Sequence, residues 1–228
     1  MTTSAKDIKV NEIFYSIQGE GPLTGTPSVF VRLSGCTLNC QFCDSKYHVD
    51  GKMMSPKDIA DEVLSYRPKN VVLTGGEPLL QQKKIKHLRD ELMFRSSAHI
   101  EIETNGTIAP LICLTDGTVS FNVSPKLTNS GMSFERRYKG DILQYYVKNK
   151  DCQANFKFVV ASPKDISEIT TIVSLNKIPN DKIYLMPEGA TREEVIDKSK
   201  WVIGLCKTHG WKFSSRLHVL LWSDERGK

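Results

Sequence analysis

The sequence lacks the features that would place a protein in a membrane or outside the cell. No run of about 18 apolar residues occurs, which excludes a transmembrane helix. Residues 1–11 are polar and no apolar stretch precedes a cleavage-like site, so we expect no secretory signal and a cytoplasmic location. No internal repeat, low-complexity segment or linker divides the 228 residues. We therefore expect one domain over residues 1–228, long enough for a sizeable core.

The sequence also lacks a strong excess of charge of either sign. The net charge is only +5, from 31 basic and 26 acidic residues, and the sequence contains no long block of basic residues. This is weak evidence for nucleic-acid binding, because an anionic small ligand explains the excess equally well. With 39% apolar and 25% charged residues, the composition is that of a globular protein, which excludes intrinsic disorder.

Cysteines are few and unevenly spread. Three of the six lie close together, at Cys36, Cys40 and Cys43, and the other three are scattered. A reducing cytosol disfavours disulfides, so clustered cysteines there indicate metal or redox chemistry. Cys206 falls on an apolar stripe at helical spacing, which predicts a core position.

The hydrophobic pattern predicts strands that alternate with helices. Expected strands cover residues 10–17, 28–33, 70–74, 99–104, 119–124, 155–160, 182–186 and 211–214. Expected helices begin near residues 55 and 162 and cover residues 79–93 and 192–208. Such alternation implies right-handed crossovers and a parallel sheet. About six of these strands are separated by helices, which is too few for a closed eightfold barrel. We therefore expect an α/β fold, either a partial open barrel or a doubly wound sheet.

Two helix starts and one loop are predicted individually. Ser55 should cap a helix that has Pro56 at its first position, and residues 162–165 repeat this signal. Residues 127–151 have the least regular pattern, and we expect a solvated loop or a short insertion there. Functional residues should lie at the carboxyl ends of the strands, where parallel folds place them.

The spacing Cys-x₃-Cys-x₂-Cys in residues 36–43 is the strongest signal in the sequence. Three thiolates on one loop can converge on one soft metal centre. A structural zinc site would need a fourth ligand, for which His48 is a candidate. An iron–sulfur cluster normally takes four cysteines, so three would leave one iron open to bind something else. A zinc-binding loop stays open as the alternative.

The cysteine loop, with Phe42 before its last cysteine, resembles the cluster loop of the radical S-adenosylmethionine (SAM) superfamily. The resemblance implies a partial parallel βα barrel, with a 4Fe–4S cluster held by Cys36, Cys40 and Cys43. It also implies that the open iron chelates the amino and carboxylate groups of SAM. An electron from the cluster would then cleave SAM to methionine and a 5′-deoxyadenosyl radical.

Two further motifs follow predicted strands. Residues 74–78 read Thr-Gly-Gly-Glu-Pro, and paired glycines let a ligand approach the backbone closely. The exposed amides and Glu77 could meet an ammonium group, and the segment is similar to the superfamily's glycine-rich segment that holds the methionine amine. Residues 124–126 read Ser-Pro-Lys, and offer a hydroxyl and a cation that suit a ribose and a carboxylate.

Motifs outside the cysteine loop narrow the resemblance to one family. They are Phe14-Tyr15-Ser16-Ile17-Gln18-Gly19-Glu20-Gly21, Arg32, Glu103-Thr104-Asn105-Gly106 and Arg216-Leu217-His218-Val219-Leu220-Leu221-Trp222. In order and over most of the chain, they resemble the 7-carboxy-7-deazaguanine synthases of the queuosine pathway. The resemblance implies a lyase that converts 6-carboxy-5,6,7,8-tetrahydropterin to 7-carboxy-7-deazaguanine and ammonia. It implies hydrogen abstraction, ring contraction, regeneration of SAM and a requirement for magnesium.

The residues of these motifs suit such a substrate. Arg32 can bind a carboxylate in bidentate fashion, and His218 could add a donor. Gln18, the Gly19 backbone and Glu103 supply paired donors and acceptors for the pterin edge. The resemblance implies this full substrate set: Ile17, Gln18, Gly19, Glu20, Arg32, Thr74, Glu103, His218 and Lys228.

The resemblance also implies where SAM and magnesium bind. The residues expected around SAM are Phe42, Cys43, Asp44, Gly75, Gly76, Glu77, Ser124, Pro125 and Lys126. Ser45 would hold magnesium, because its hydroxyl is a hard oxygen ligand. The expected partners are a small-molecule substrate, a second copy of the chain in a homodimer and a flavodoxin-type reductant, with neither nucleic acid nor membrane.

Two other functions remain as alternatives. A glycyl-radical-enzyme activase of the same superfamily would share the cysteine spacing and act on a protein partner, but residues 18–21 and His218 argue against it. A zinc-stabilised nucleic-acid-binding module should show a recognition helix or a second Cys/His pair, and the sequence has neither.

Overall fold

The computed structural model describes residues 4–43, 50–223 and 225–228. Its strands are β1 (Ile8–Ile17), β2 (Pro27–Leu33), β3 (Lys52–Met54), β4 (Asn70–Gly75), β5 (His99–Thr104), β6 (Val119–Val123), β7 (Gln153–Val160), β8 (Ile183–Pro187) and β9 (Lys212–Phe213). They form one sheet in the order β3-β1-β2-β4-β5-β6-β7-β8-β9. The sheet is open, with β3 and β9 at its edges, which confirms the predicted α/β fold with a partial barrel.

Seven α-helices accompany the sheet in the described part of the chain. They are α1 (Pro56–Ser65), α2 (Gln82–Arg95), α3 (Phe134–Arg137), α4 (Gly140–Lys148), α5 (Asp165–Asn176), α6 (Arg192–His209) and α7 (Leu217–Trp222). None of the helices in these ranges is long and apolar enough to span a bilayer.

The sheet is parallel from β2 to β9 and antiparallel at its other end. Each neighbouring pair from β2 onward is parallel, as the alternation of strands and helices predicts. In contrast, β1 pairs antiparallel with both β2 and β3, which the sequence pattern did not predict. The connection from β1 to β2 is a short turn over residues 18–26, and such a turn can join only antiparallel neighbours. This turn lies at the amino end of β2, because Ile17 pairs with Pro27, and its Gln18 side chain reaches Glu101 and Glu103 on the inner face of β5.

The two faces of the parallel strands differ sharply in polarity. The outward face carries apolar side chains such as Val31, Leu73 and Ile102, which join the core formed with the helices. Successive side chains along a strand point to opposite faces, so the residues between them face the barrel interior. At those inward positions stand polar side chains, among them Arg32, Thr74, Glu101, Glu103, Asn122 and Lys157. The fold therefore surrounds a polar interior with an apolar outer layer.

The prediction of a solvated loop over residues 127–151 is wrong. Helix α4 lies there, and it buries Leu143 and Tyr146. The Tyr146 ring meets Phe121 of β6 edge to face, with ring centroids 5.4 Å apart. A parallel connection from β6 to β7 requires a crossover, and α4 supplies its helix.

The two predicted helix starts have different outcomes. Ser55 caps α1 as expected, because its Oγ accepts a hydrogen bond from the Asp58 N–H at 3.1 Å. Ser162 does not act as a cap. Instead, the Asp165 carboxylate accepts from the N–H groups of Ala161 and Ser162, at 2.8 and 3.0 Å, and α5 begins at Asp165.

Replacing Ser55 by Ala should lower the free energy of unfolding by about 1 kcal/mol, because the Asp58 N–H loses its acceptor at the start of α1. Urea denaturation of the two proteins measures this. Ser65→Ala at the other end of α1 is the control, because the exposed Ser65 hydroxyl donates to the Glu62 carbonyl and caps no N–H group, and it should change stability by less than about 0.5 kcal/mol. Equal stabilities of the Ser55 and Ser65 variants would contradict the capping role.

Candidate active site

A cavity of about 290 Å³ opens at the carboxyl ends of the parallel strands. Six neighbouring strands each contribute a residue at or just after their ends, in the order Arg32, Thr74, Glu103, Ser124, Val159 and Met186. All nine predicted substrate residues line this one cavity: Ile17, Gln18, Gly19, Glu20, Arg32, Thr74, Glu103, His218 and Lys228. The fold therefore brings together residues that lie at both ends of the sequence.

The three clustered cysteines line the same cavity. The loop that carries them follows β2, and the Gln41 N–H donates to the Ser130 carbonyl at 3.0 Å, which ties the loop to the β6–β7 connection. Burial raises the pKa of Cys36 and of Cys40, while Lys126 lowers both. Without a metal, both thiols therefore stay protonated at neutral pH.

The cysteine loop offers the ligands that an iron–sulfur cluster needs. In a 4Fe–4S cluster each thiolate binds a different iron, so the three sulfurs stand further apart than around zinc. The wall of the cavity provides three such thiols and lies open beside them. His48, the fourth ligand of the zinc alternative, lies outside the described residues.

The paired glycines pack against the backbone that leads into the cysteine loop. Gly75 has a φ of +136°, and a Cβ built there would lie 2.1 Å from the Leu33 carbonyl oxygen. A Cβ at Gly76 would lie 2.2 Å from the carbonyl oxygen of Gly35. Only glycine allows this close approach of β4 to the end of β2. Both glycines also line the cavity, as predicted for the SAM site.

Glu77 has a different environment from the one expected. Its side chain does not line the cavity and is only 1% exposed. Its carboxylate accepts from the Thr104 hydroxyl at 3.0 and 2.9 Å, from the Asn105 N–H at 2.8 Å and from the Leu79 N–H at 2.9 Å. Burial raises the pKa of Glu77, against the effect of these hydrogen bonds. In the described structure Glu77 thus joins β4 to the end of β5 and does not face a ligand.

Of the remaining residues predicted for SAM and magnesium, some line the cavity and others do not or lie outside the described residues. Phe42, Ser124 and Lys126 line the cavity, and the Lys126 ammonium donates to Ser124 Oγ at 3.0 Å. Pro125, between them in sequence, does not line it. The predictions for Asp44 and Ser45 lie outside the described residues.

A buried lysine holds two of the predicted substrate residues. The Lys157 ammonium on β7 lies 2.5 Å from Glu20 Oε2 and 3.0 Å from Glu103 Oε2. Burial alone would lower the pKa of Lys157, but the charges of Glu103 and Glu20 outweigh it and raise the pKa. Burial pushes the pKa of Glu20 upward, yet Lys157, Arg216 and His218 hold it well below its usual range. The negative charge of Glu20 is therefore maintained inside the barrel.

The Gln18 amide lies at the centre of this network. Its Nε2 donates to Glu101 Oε1 and, at 3.4 Å, to Glu103 Oε1. Its Oε1 accepts from the Glu20 N–H at 3.2 Å. The Glu103 carboxylate also accepts from Asn122 Nδ2 at 3.0 Å. The turn after β1 is thereby joined to the inner faces of β5 and β6.

The opposite wall of the cavity is cationic and aromatic. A bulge in β1 shifts the register after Val10, so that Glu12 stands directly opposite Arg32 of β2. The Arg32 Nε lies 2.6 Å from Glu12 Oε1, and its guanidinium carbon lies 5.7 Å from the centre of the Phe14 ring. Phe14 stacks in turn on Phe30, with centroids 5.0 Å apart and planes within 8°. This wall combines a planar cation with a flat apolar surface.

The C-terminal segment covers the cavity from the side. The Leu217 N–H donates to the Gly19 carbonyl at 2.9 Å, which sets α7 against the turn after β1. The His218 Nε2 then lies 3.8 Å from Glu20 Oε1. Further along, Arg226 Nε contacts Glu12 Oε2 at 2.8 Å, and Arg226 and Lys228 both line the cavity.

Sequence reasoning missed several residues of the site, and Lys157 is the most important of them. Its only signal is a single lysine inside the apolar strand sequence Phe156-Lys157-Phe158-Val159-Val160. Alternation along the strand places that lysine on the face opposite the buried phenylalanines, inside the barrel. Glu12 gave no comparable signal, because its position opposite Arg32 depends on the bulge in β1.

Comparisons with known proteins agree with the geometry. The Radical SAM superfamily profile matches residues 30–118. The 7-carboxy-7-deazaguanine synthase of Halobacterium salinarum is 39% identical over 95% of this chain and 91% of its own length. The synthase of Pyrobaculum aerophilum is 35% identical over 97% of both chains.

Solved structures show the same fold. The crystal structure of QueE from Escherichia coli superposes with a TM-score of 0.70 and 24% identity, over 95% of this chain and 100% of that one. Native anSMEcpe with bound AdoMet superposes with a TM-score of 0.56 and 16% identity, over 80% of this chain and 61% of that one. The similarity along the whole chain to curated synthases supports this family over the activase and the zinc module. The chain belongs to the 7-carboxy-7-deazaguanine synthase family of radical SAM enzymes, whose chemistry uses a 4Fe–4S cluster and SAM.

Proposed function

We propose that this cavity converts 6-carboxytetrahydropterin to 7-carboxy-7-deazaguanine and ammonia. One observation carries the proposal. A single cavity joins the cysteine loop and the paired glycines on one side to a carboxylate-binding cation and a set of fixed polar groups on the other. When bound, the cluster and SAM supply the one-electron chemistry that removes a hydrogen atom from the substrate. The protein's own residues bind and orient the reactants.

Arg32 binds the substrate carboxylate in this proposal. A guanidinium matches a carboxylate in bidentate geometry, and Glu12 and Phe14 hold the Arg32 side chain in one orientation. Lys228 and His218 line the same cavity and add positive charge and a donor. The stacked rings of Phe14 and Phe30 offer a flat surface for the pterin ring.

Glu20, Glu103 and the Gln18–Gly19 segment recognise the amide and amino edge of the pterin. Lys157 pairs with both carboxylates and holds their oxygens in place as acceptors. Acceptors fixed by buried partners discriminate strongly against ligands that cannot donate to them, since an unmet buried acceptor is unfavourable. Thr74 and Ile17 complete the surface of this subsite.

The residues on the side of the cavity next to the cysteines would hold SAM. Phe42 and Cys43 with Gly75, Gly76, Ser124 and Lys126 form this part of the proposal, and Asp44, Glu77 and Pro125 stay in it on the family resemblance alone. Ser45 stays in the proposal as a magnesium ligand on the family resemblance alone. A homodimer and a flavodoxin-type electron donor belong to the proposal on the family resemblance. A cytoplasmic location completes it, because the clustered thiols need a reducing environment.

Replacing Arg32 by Ala should lower kcat/KM for the carboxytetrahydropterin by about 10²-fold or more, because a charge-assisted carboxylate contact is lost. Cluster content and SAM affinity should not change. The assay is anaerobic and contains the reconstituted protein, dithionite, SAM, magnesium and 6-carboxytetrahydropterin, with mass spectrometry of the products. Arg95→Ala is the matched control, because Arg95 pairs with Asp61 on the surface at 2.6 Å.

The outcomes separate the candidate functions. Product formation with SAM undiminished in the parent protein, and its loss only in the Arg32 variant, supports the proposal. Normal turnover by the Arg32 variant refutes the assignment of the carboxylate site. Accumulation of 5′-deoxyadenosine without the deazaguanine product would reopen the substrate, and an intact cluster with no turnover would favour the activase.

A further inference from the structure

A buried carboxyl group lies beneath the cavity and has no role in the function proposed so far. Glu101 is 0% exposed and stands on the inner face of β5, two residues before Glu103. It does not line the cavity. Its Oε1 accepts a hydrogen bond from Gln18 Nε2, and its Oε2 has no hydrogen-bond partner among the described residues. Such a group needs an explanation, because buried polar atoms are normally satisfied.

The charges around Glu101 balance without it. Glu20 and Glu103 contribute two negative charges, and Lys157 and Arg216 contribute two positive charges in the same connected set of ion pairs. An ionised Glu101 would add a negative charge with no cation of its own and no access to water. Burial of an unpaired charge is strongly unfavourable, so the balance favours the neutral acid.

The titratable groups that face Glu101 lead to the same conclusion. His99 and Glu103 share its face of β5, and Lys157 on β7 pairs with both Glu103 and Glu20 in the same network. Burial lowers the pKa of His99, so it stays uncharged at neutral pH and provides no cation. Burial first, and then the charge of Glu103, raise the pKa of Glu101 to about 8, although the Gln18 hydrogen bond and the charge of Lys157 act in the opposite direction.

We propose that Glu101, as a neutral carboxylic acid, is a positioning residue that fixes the Gln18 amide and through it the substrate-facing groups. The Gln18 amide links Glu101 to the Glu20 N–H and to the Glu103 carboxylate. If Glu101 did not hold it, the amide could rotate and leave Glu20 and Glu103 with fewer constraints. The inference rests on the proposed function, and adds to it a residue that acts without touching the substrate.

Two substitutions of Glu101 and one of Glu103 test this proposal. Glu101→Gln keeps an acceptor for Gln18 and remains uncharged, so kcat/KM for the pterin should stay within about threefold of the parent value. Glu101→Leu removes the acceptor, so KM should rise about tenfold or more while kcat changes less. Glu103→Gln is the matched comparison, because there the lost charge faces Lys157 and the substrate, and kcat/KM should fall about 10²-fold or more. Iron content and SAM affinity should remain unchanged in both Glu101 variants.

Two pH series provide readouts that a merely structural role would not change. In the parent protein KM should rise above about pH 8, because ionised Glu101 would add an uncompensated negative charge next to Glu103 and disturb the substrate-facing groups, and Glu101→Gln should not show this rise. The second series needs no substrate. Because the folded pKa exceeds the unfolded one, the parent protein loses stability as pH rises from about 4.5 to about 8. The glutamine variant lacks this loss, so its Tm relative to the parent should increase over that range.

Several results would overturn the proposal. These are a loss of activity in Glu101→Gln as large as in Glu103→Gln, an unchanged KM in Glu101→Leu, or a Tm difference that does not vary with pH. If the Leu variant fails to fold, the Gln variant and its pH series still decide. A parent protein that makes no deazaguanine product would refute the proposed function, and the positioning role with it. An active parent protein with a damaged Gln variant would refute the positioning role alone.

Discussion

Replacing Lys157 by Met is expected to lower the free energy of unfolding by roughly 3–5 kcal/mol and to abolish measurable turnover. Methionine fills a similar volume but carries no charge. The carboxylates of Glu20 and Glu103 would lose the ammonium that lies 2.5 and 3.0 Å from them. Arg216, 3.2 Å from Glu20, would remain as a partner for that carboxylate. Both carboxylates line the cavity, so the substrate subsite and the fold would be damaged together.

The stability loss of the Lys157 variant should depend on pH in a definite direction. In the parent protein Lys157 helps to hold the pKa of Glu20 below its unfolded value. A depressed pKa contributes stability above the unfolded pKa, and this contribution is lost as pH falls. The difference in stability between parent and variant should therefore be full near neutral pH and shrink as the pH falls below the unfolded pKa of about 4.5.

Denaturant titrations at several pH values, together with the anaerobic turnover assay, measure both effects. Lys200→Met is the matched control, since Lys200 pairs with Asp197 at 2.9 Å but is 73% exposed. Such a surface pair contributes little, and the control should be nearly as stable as the parent protein. Equal stability of the Lys157 and Lys200 variants would show that the buried cation is not needed.

Replacing Gly76 by Ala should lower SAM affinity and turnover by about 10²-fold. The new methyl group would stand 2.2 Å from the Gly35 carbonyl oxygen and 2.7 Å from the Cys36 Cβ. The first contact is with backbone, so it can be relieved only by moving β4 away from the start of the cysteine loop. The thiols and the glycine segment would then lose their relative position, although neither group of ligands has been removed.

A second glycine offers the control for this prediction. Gly204 lies in α6, and a Cβ there would meet nothing within 4 Å. Gly204→Ala should therefore stabilise the protein by up to about 1 kcal/mol, since alanine favours helix, and leave activity unchanged. Isothermal titration with SAM and determination of iron content would distinguish the two variants. Parent-like SAM affinity in Gly76→Ala would contradict the proposed contact between the two segments.

The general fold and most of the site could be predicted from the sequence, because their signals are local. Strands such as β5, with apolar residues on one face, are apparent from alternation alone. The cysteine spacing and the motifs at strand ends located the cavity, since parallel folds bring those ends together. Cys206 is buried as its helical spacing predicts.

The parts of the fold and the site that the sequence did not predict depend mainly on contacts between distant residues, which no local pattern records. The bulge that sets Glu12 opposite Arg32 is a property of the paired strands, and not of either strand alone. Lys157 reads as one charge in an apolar strand until Glu20 and Glu103 are brought to it from elsewhere in the chain. Helix α4 was missed because only a few of its nine residues, such as Leu143 and Tyr146, are buried.

The separation of these partners along the chain has a consequence for synthesis on the ribosome. From β4 onward, strand order in the sheet follows chain order, so each emerging strand can dock on the one made before it. In contrast, the cations that pair with Glu20 are synthesised much later than Glu20 itself. Lys157 follows it by 137 residues and Arg216 by 196 residues. A nascent chain therefore assembles most of its sheet while a buried carboxylate still lacks its cations. The complete substrate subsite therefore forms only after the segment that carries Arg216 has emerged.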